Sequence, residues 1–224
     1  MLKLSIPTLL RESKYVGQVA FGTQELPCDG REAVCQKWAG IMNLKENIAF
    51  TCVNDGVYGS DFMAGELRIS LLRSPSYSGH PISDRTIVTQ DRFIPRIDQG
   101  ERLFTFWFNG GALKERLENI DHEAAMHSEK PFPLSFFPSG KGEKALPLIK
   151  ISDVGVQMST FKRSEDNKDY IIRLFECTGN FRTAEILIPY LQIKQKITFG
   201  KFEIKTYRLS EEDKTLTEVT LMEW

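Results

Sequence analysis

Leu67-Arg68-Ile69-Ser70-Leu71 alternates apolar and polar residues with a period of two. A β-strand sends successive side chains to opposite faces, so this stretch reads as a strand with one dry and one wet face. The same alternation recurs along the chain. Phe104, Phe106 and Phe108 oppose Leu103, Thr105 and Trp107. Ile172 and Leu174 oppose Arg173 and Phe175, Ala184, Ile186 and Ile188 oppose Glu185 and Leu187, and Phe202 and Ile204 alternate with Glu203 and Lys205. Looser runs lie at Tyr15–Phe21, Ile48–Val53, Val154–Met158 and Thr217–Met222. About ten such strands predict stacked antiparallel sheets, an all-β sandwich.

Turn chemistry falls between these runs. Asn54-Asp55-Gly56, Met63-Ala64-Gly65, Asp98-Gln99-Gly100, Ser164–Asn167 and Cys177-Thr178-Gly179-Asn180 supply the positive φ or the local hydrogen bonds that turns need. Pro189 offers no ladder donor and ends a strand or sits on an edge. One stretch changes period: Leu113, Leu117, Ile120 and Ala124 recur at helical spacing, with Pro131 shortly beyond. A single amphipathic helix is therefore expected near 112–127, entered through Asn109-Gly110-Gly111 with Asn109 or Gly111 near its cap. The Ser74–Ile97 segment is too long for a hairpin connection, and loops of that length are usually functional or poorly ordered.

Composition narrows the function. With 29 basic against 30 acidic residues the net charge is -1, which leaves no footprint for nucleic acid or an anionic membrane. No apolar run approaches the roughly 20 residues that span a bilayer. The opening residues lack the long apolar region of a signal peptide. Cys28, Cys35, Cys52 and Cys177 form no C-x-x-C pair, so reduced thiols in the cytoplasm are expected. His122 and His127 stand five apart, about 140° around a helix, which is the wrong spacing for the paired zinc ligands of H-E-x-x-H. His80 has no second ligand at recognisable spacing, and no nucleophile elbow or phosphate loop is present. Cys52 and Cys177 sit in apolar runs as buried structural thiols. Lys194-Gln195-Lys196 and Lys141–Lys144 read as solvated surface, and Trp107 and Trp224 as core or sugar-stacking aromatics. No metal ligand, cofactor-binding residue or catalytic pair is assigned within this chain.

The connection Asn54-Asp55-Gly56-Val57-Tyr58-Gly59-Ser60-Asp61 packs amide, carboxylate, phenol and glycine between two apolar strands. By composition it is a turn; its side chains are also of the kind that bind sugar hydroxyls.

Asn54-Asp55-Gly56-Val57-Tyr58-Gly59, followed by Leu67-Arg68-Ile69-Ser70-Leu71-Leu72-Arg73-Ser74-Pro75, resembles the carboxyl-terminal region of glycoside hydrolase family 38 α-mannosidases, with their N-D-x-x-Y-G turn and L-R-L-S-L-L-R-S-P strand. Asp98-Gln99-Gly100-Glu101 with Phe104-Thr105 is similar to the family's D-Q-G-E-H-E-F-T-Y. Ile172–Glu176 and Phe202–Thr206 continue the resemblance, so that five matches in family order span Phe21 to Leu209. Arg102 and Leu103 replace a His-Glu pair and Phe106 a Tyr, departures that bear on subfamily and substrate rather than on fold.

The resemblance implies a large antiparallel β-sandwich of the galactose-mutarotase-like supersandwich kind over residues 1–224, with a minor sub-sandwich from about 150 to 224 as a subdivision. It also implies a retaining exo-α-mannosidase whose aspartate nucleophile and zinc, or similar divalent metal, belong to a catalytic barrel upstream. Leu2–Phe21 already reads as sandwich strands, so the barrel is expected to lie outside this chain. The function expected is a non-catalytic part of such an enzyme, inactive alone, whose partners are the barrel and an α-mannoside. Asn54, Asp55 and Tyr58 are the candidate rim of the mannose site. The alternative is an independent carbohydrate-binding module with Trp107, Tyr58 or loop aromatics as its platform. A third reading is a bare interaction domain with an exposed apolar patch.

Overall fold

The computed structural model describes residues 1–75, 96, 98–135, 142 and 146–223. The Ser76–Ile97 loop apart from Arg96, with His80, lies outside the described residues, as do Lys141, Lys144 and Trp224.

The first half contains β1 (Leu2–Pro7), β2 (Lys14–Val19), β3 (Gly22–Leu26), β4 (Ala33–Val34) and β5 (Trp38–Asn43). It continues with β6 (Ile48–Asn54), β7 (Gly59–Met63), β8 (Glu66–Leu72), β9 (Phe106–Ala112) and the helix α1 (Leu113–Ser128). The strands make two antiparallel sheets, ordered β1-β8-β7-β4 and β3-β2-β5-β6-β9. Alternation sends Tyr15, Ile41, Cys52, Phe62, Leu67 and Ile69 into the core between them. The opposite face of the five-stranded sheet is covered by α1. Ile120 and Ala124, flanked by Leu113 and Leu117, pack on Trp38, Met42, Ala49 and Val53. Every residue of β5 is buried, because both its faces are covered.

The strand before the helix starts later than its alternation suggested. It begins at Phe106, and Asn109-Gly110-Gly111 lie inside it, paired with Thr51, Phe50 and Ala49 of β6. Glycine weakens a strand by about 1 kcal/mol, which a ladder continuous to Ala112↔Ile48 offsets. The helix consequently starts from Ala112 with no side-chain cap; the Leu113 amide donates to the Asn47 carbonyl at 3.0 Å. A backbone carbonyl from the β5–β6 turn thus takes the place of the expected cap.

The second half contains β10 (Lys150–Ile151), β11 (Val156–Arg163), β12 (Tyr170–Glu176), β13 (Arg182–Ile188), β14 (Ile193–Phe199), β15 (Ile204–Ser210) and β16 (Thr215–Val219). Pro189 ends β13 and opens a single 3₁₀ turn, Pro189–Leu191. The sheets β10-β13-β14 and β11-β12-β15-β16 close on Ile172, Leu174, Ala184, Ile186, Phe199 and Tyr207. The all-β sandwich is thus built as two stacks in tandem, each with its own core.

The stacks meet at defined places. The tip of the β2–β3 hairpin carries Phe21, whose ring stands edge-on to Phe175 of β12 at 5.2 Å. Glu118 of α1 is ion-paired with Arg182 of β13. Between these contacts lies a cleft of about 570 Å³.

Candidate functional site

Asn54, Asp55 and Tyr58 occupy the turn that carries the chain from β6 to β7, and the structure gives them different work. Asn54 is buried. Its Nδ2 donates to the Gln36 carbonyl at 2.7 Å, and its Oδ1 accepts from the amides of Gly56 and Val57 at 3.2 and 3.1 Å. Its own amide donates to the Lys37 carbonyl at 2.9 Å. This is an Asx-type turn in which one amide side chain replaces a backbone ladder. Asp55 and Tyr58 are left exposed, Tyr58 by 55%. The Tyr58 carbonyl meanwhile accepts from the Cys35 amide at 3.0 Å, so the backbone beneath the exposed phenol is fixed.

Other polar residues are likewise consumed in building the scaffold. Asp61 is buried against Lys3 and Arg68, with Arg68 Nε donating to its Oδ1 at 2.6 Å. Tyr15 shares a buried 2.5 Å hydrogen bond with Ser60. Glu176, at the end of β12, is wholly buried and collects six donors. Oε1 accepts from the Thr178 amide and hydroxyl and from Arg182 Nε, at 2.8, 2.5 and 3.1 Å. Oε2 accepts from the amides of Gly179, Asn180 and Phe202, at 2.7, 3.1 and 3.0 Å. Burial pushes this carboxyl up, and the Thr178 hydroxyl with the surrounding amides and Arg182 outweighs it, holding the group below the ordinary carboxylate value. Gly179 sits at φ +77°, where a Cβ would come within 2.7 Å of the Phe202 ring. Arg182 extends the cluster to Asp153 and Glu118, tying the second stack to α1.

At the cleft, Asp121 of α1 is buried, and its Oδ1 accepts from Gln18 Nε2 at 2.7 Å and Trp38 Nε1 at 2.9 Å. Burial pushes its carboxyl up to about 6, against the pull of those two bonds. The sequence reading passed over Asp121 and over the Glu176–Arg182 pair. Two signals pointed to them: Asp121 lies four residues after Leu117 on the apolar stripe, and Glu176 immediately precedes the Cys177–Asn180 turn.

The two helix histidines diverge as their spacing requires. His122 lines the cleft, whereas His127 stacks on Trp107 at 4.2 Å and covers that indole face. Cys35, Cys52 and Cys177 are buried and unpaired, and burial raises the thiols of Cys35 and Cys52 to about 11 and about 12, far from nucleophilic range. Lys194 and Lys196 alternate outward on β14 and are exposed. Among the described residues, no group of three His, Cys, Asp or Glu is placed to hold a metal ion, so zinc finds no fitting donor set there. No described helix is long and apolar enough to cross a membrane.

Two family models fall on the chain in succession. The glycosyl hydrolases family 38 C-terminal domain matches residues 1–84, and the family 38 C-terminal beta sandwich domain matches residues 155–196. The chain belongs to the C-terminal β-sandwich region of glycosyl hydrolase family 38. No curated protein matches it. Among solved structures, an alpha-mannosidase from Enterococcus faecalis V583 superposes on 92% of this chain and 25% of its own, with TM-score 0.69 and 16% identity. A glycosyl hydrolase family 38 protein from Enterococcus faecalis superposes on 92% of this chain and 26% of its own, with TM-score 0.69 and 17% identity. At those identities the likeness speaks for the fold. The chain spans about a quarter of the length of either structure.

Proposed function

We propose that this chain is the non-catalytic β-sandwich portion of a retaining α-mannosidase, scaffolding a catalytic barrel and lending the Asn54–Tyr58 turn to the rim of its mannose site. One observation carries the reading. The family-matched side chains Asn54, Arg68 and Glu176 are spent on fixing turns and loops, while Asp55 and Tyr58 are held outward on one of those fixed turns. A carboxylate and a phenol on a rigid turn suit the recognition of sugar hydroxyls. An apolar trough lined by Ile6, Leu10, Ile48, Phe50 and Ala112, between the edge strands β1 and β9, supports a covering neighbour, for which the barrel is the natural occupant. The nucleophile and the zinc, or similar divalent metal, then belong to the barrel. Three buried, unpaired thiols support a reducing compartment such as the cytoplasm.

The test has two arms. The chain alone, supplied with zinc, is expected to leave aryl α-mannosides unhydrolysed; zinc-dependent turnover would overturn the scaffold reading. In the intact enzyme, Asp55→Ala and Tyr58→Ala are each expected to lower kcat/KM about tenfold, the worth of one lost transition-state contact. Unchanged kcat/KM in both variants removes the turn from the site.

A further inference from the structure

We propose that the cleft between the two β-stacks binds an organic cation, an ammonium or guanidinium group on an apolar stem, with the Asp121 carboxylate as its counter-ion and Phe21 as an aromatic wall. The inference concerns the cleft alone and not the barrel: its failure would leave the scaffold reading as it stands.

The cleft's volume of about 570 Å³ lies within the range of small-molecule sites, and it falls at a junction between two folded units, where such sites concentrate. Asp121 stands on its wall and is only 3% exposed. Gln18 and Trp38 both donate to Oδ1, which holds the carboxylate in one orientation. Oδ2 accepts no hydrogen bond from the described residues, yet it is not sealed from solvent. The cations nearby are committed elsewhere: Lys37 to Glu129, and Arg182 to Glu118, Asp153 and Glu176. Among the described residues Asp121 therefore forms no ion pair. A buried carboxylate is disfavoured in its ionised form until a cation meets it.

Charge and shape select the class. Glu118, Asp121, Glu129, Asp153 and Glu176 gather at the junction against Lys37, Arg182 and the titratable His122. The excess is negative, so a phosphate or carboxylate is repelled, and a neutral group would leave the Asp121 charge unmet. Phe21 is 42% exposed and supplies an aromatic ring, which attracts a cation, while Val154 and Met158 add half-exposed apolar surface for the stem. Protonation opposes such a ligand. Burial holds the Asp121 carboxyl at about 6, so acidification through that value removes the counter-ion, and a proton gained by His122 beside it on α1 acts in the same direction. Lys37, Glu129, Asp153, Glu176 and Cys177 are the other ionisable groups around it among the described residues.

The experiment titrates the ¹⁵N-labelled chain with n-hexylammonium chloride and, in parallel, with n-hexanol and hexanoate, which keep the stem and change the head. With the ammonium at neutral pH, saturable shifts are expected at the Trp38 indole N–H, the Gln18 side-chain amide and the Phe21 backbone, with Kd on the order of millimolar. The alcohol should bind more than about tenfold more weakly, and the carboxylate not at all. Asp121→Asn keeps an Oδ1 to accept from Gln18 and Trp38 while removing the charge, and should raise Kd about tenfold; Phe21→Ala should raise it about threefold. Wild-type affinity should fall on acidification below about 6, a fall that Asp121→Asn largely loses and His122→Gln keeps. N-acetyl-lysine methylamide separates the sources: a Kd equal to that of hexylammonium assigns the site to a protein side chain, and one more than about tenfold higher assigns it to a free amine. Absence of saturable shifts, an alcohol that binds as tightly as the ammonium, or an unchanged Kd in Asp121→Asn overturns the proposal.

Discussion

Replacing Glu176 with glutamine keeps the side-chain volume and removes the charge on which the Cys177–Asn180 and Phe202 segments converge. Each carboxylate oxygen serves three donors. With the new NH₂ at the Oε2 position, the amides of Gly179, Asn180 and Phe202 would all face a donor. With it at Oε1, only the Thr178 amide is stranded: the Thr178 hydroxyl turns to accept, and Arg182 retains Asp153 and Glu118. The second arrangement is cheaper and sets the magnitude. One buried amide without an acceptor, together with the charge assistance lost from the rest, amounts to about 3 kcal/mol. Glu176→Ala, which strands every donor, should cost more, about 5 kcal/mol. Urea unfolding followed by tryptophan fluorescence measures both, provided the denaturant slope is unchanged. Because the folded carboxyl sits below its ordinary value, its contribution is complete above the unfolded value of 4.5 and fades as pH falls through the folded one. The gap between wild type and Glu176→Gln should therefore narrow on acidification. A loss below about 1 kcal/mol at neutral pH, or a gap that does not narrow, would refute the account.

Asp121 behaves with the opposite sign. Burial raises its carboxyl from 3.8 to about 6, with Glu176 adding to the rise and Lys37 opposing it. Between those values the folded state keeps a proton that the unfolded chain has lost, so this group's contribution falls as pH rises through the window and is flat above it. Thermal scans of wild type and Asp121→Asn should show the stability difference dropping by about 3 kcal/mol across that window, and a pH-independent difference would contradict the assignment. Asn54→Ala releases the Gln36 carbonyl and the Gly56 and Val57 amides from their shared partner. It should cost about 2 kcal/mol and speed hydrogen exchange at Gly56 and Val57; unaltered exchange there would show that the turn holds without the side chain.

The two-residue period of Leu67–Leu71 and Ile172–Phe175 marked Leu67, Ile69, Ile172 and Leu174 for burial, and the helical period marked Ile120 and Ala124, while the equally buried Arg116 and Asp121 of the same helix carry no such mark. For those apolar residues, burial follows from local geometry once the secondary structure is known. Family motifs likewise placed the Asn54–Tyr58 turn and the Glu176 segment before any coordinate. Strand limits were less legible: turn chemistry marked Asn109-Gly110-Gly111 as an entrance, whereas pairing with β6, a partner more than 50 residues away, kept it in a ladder. The convergence of six donors on Glu176 and the meeting of Asp121 with Gln18 and Trp38 were decided only in three dimensions. Hydrogen bonds and ion pairs act over a few ångströms of space, and nothing in the linear order reveals that Arg182 will meet Glu118 or that Gln18 will meet Asp121.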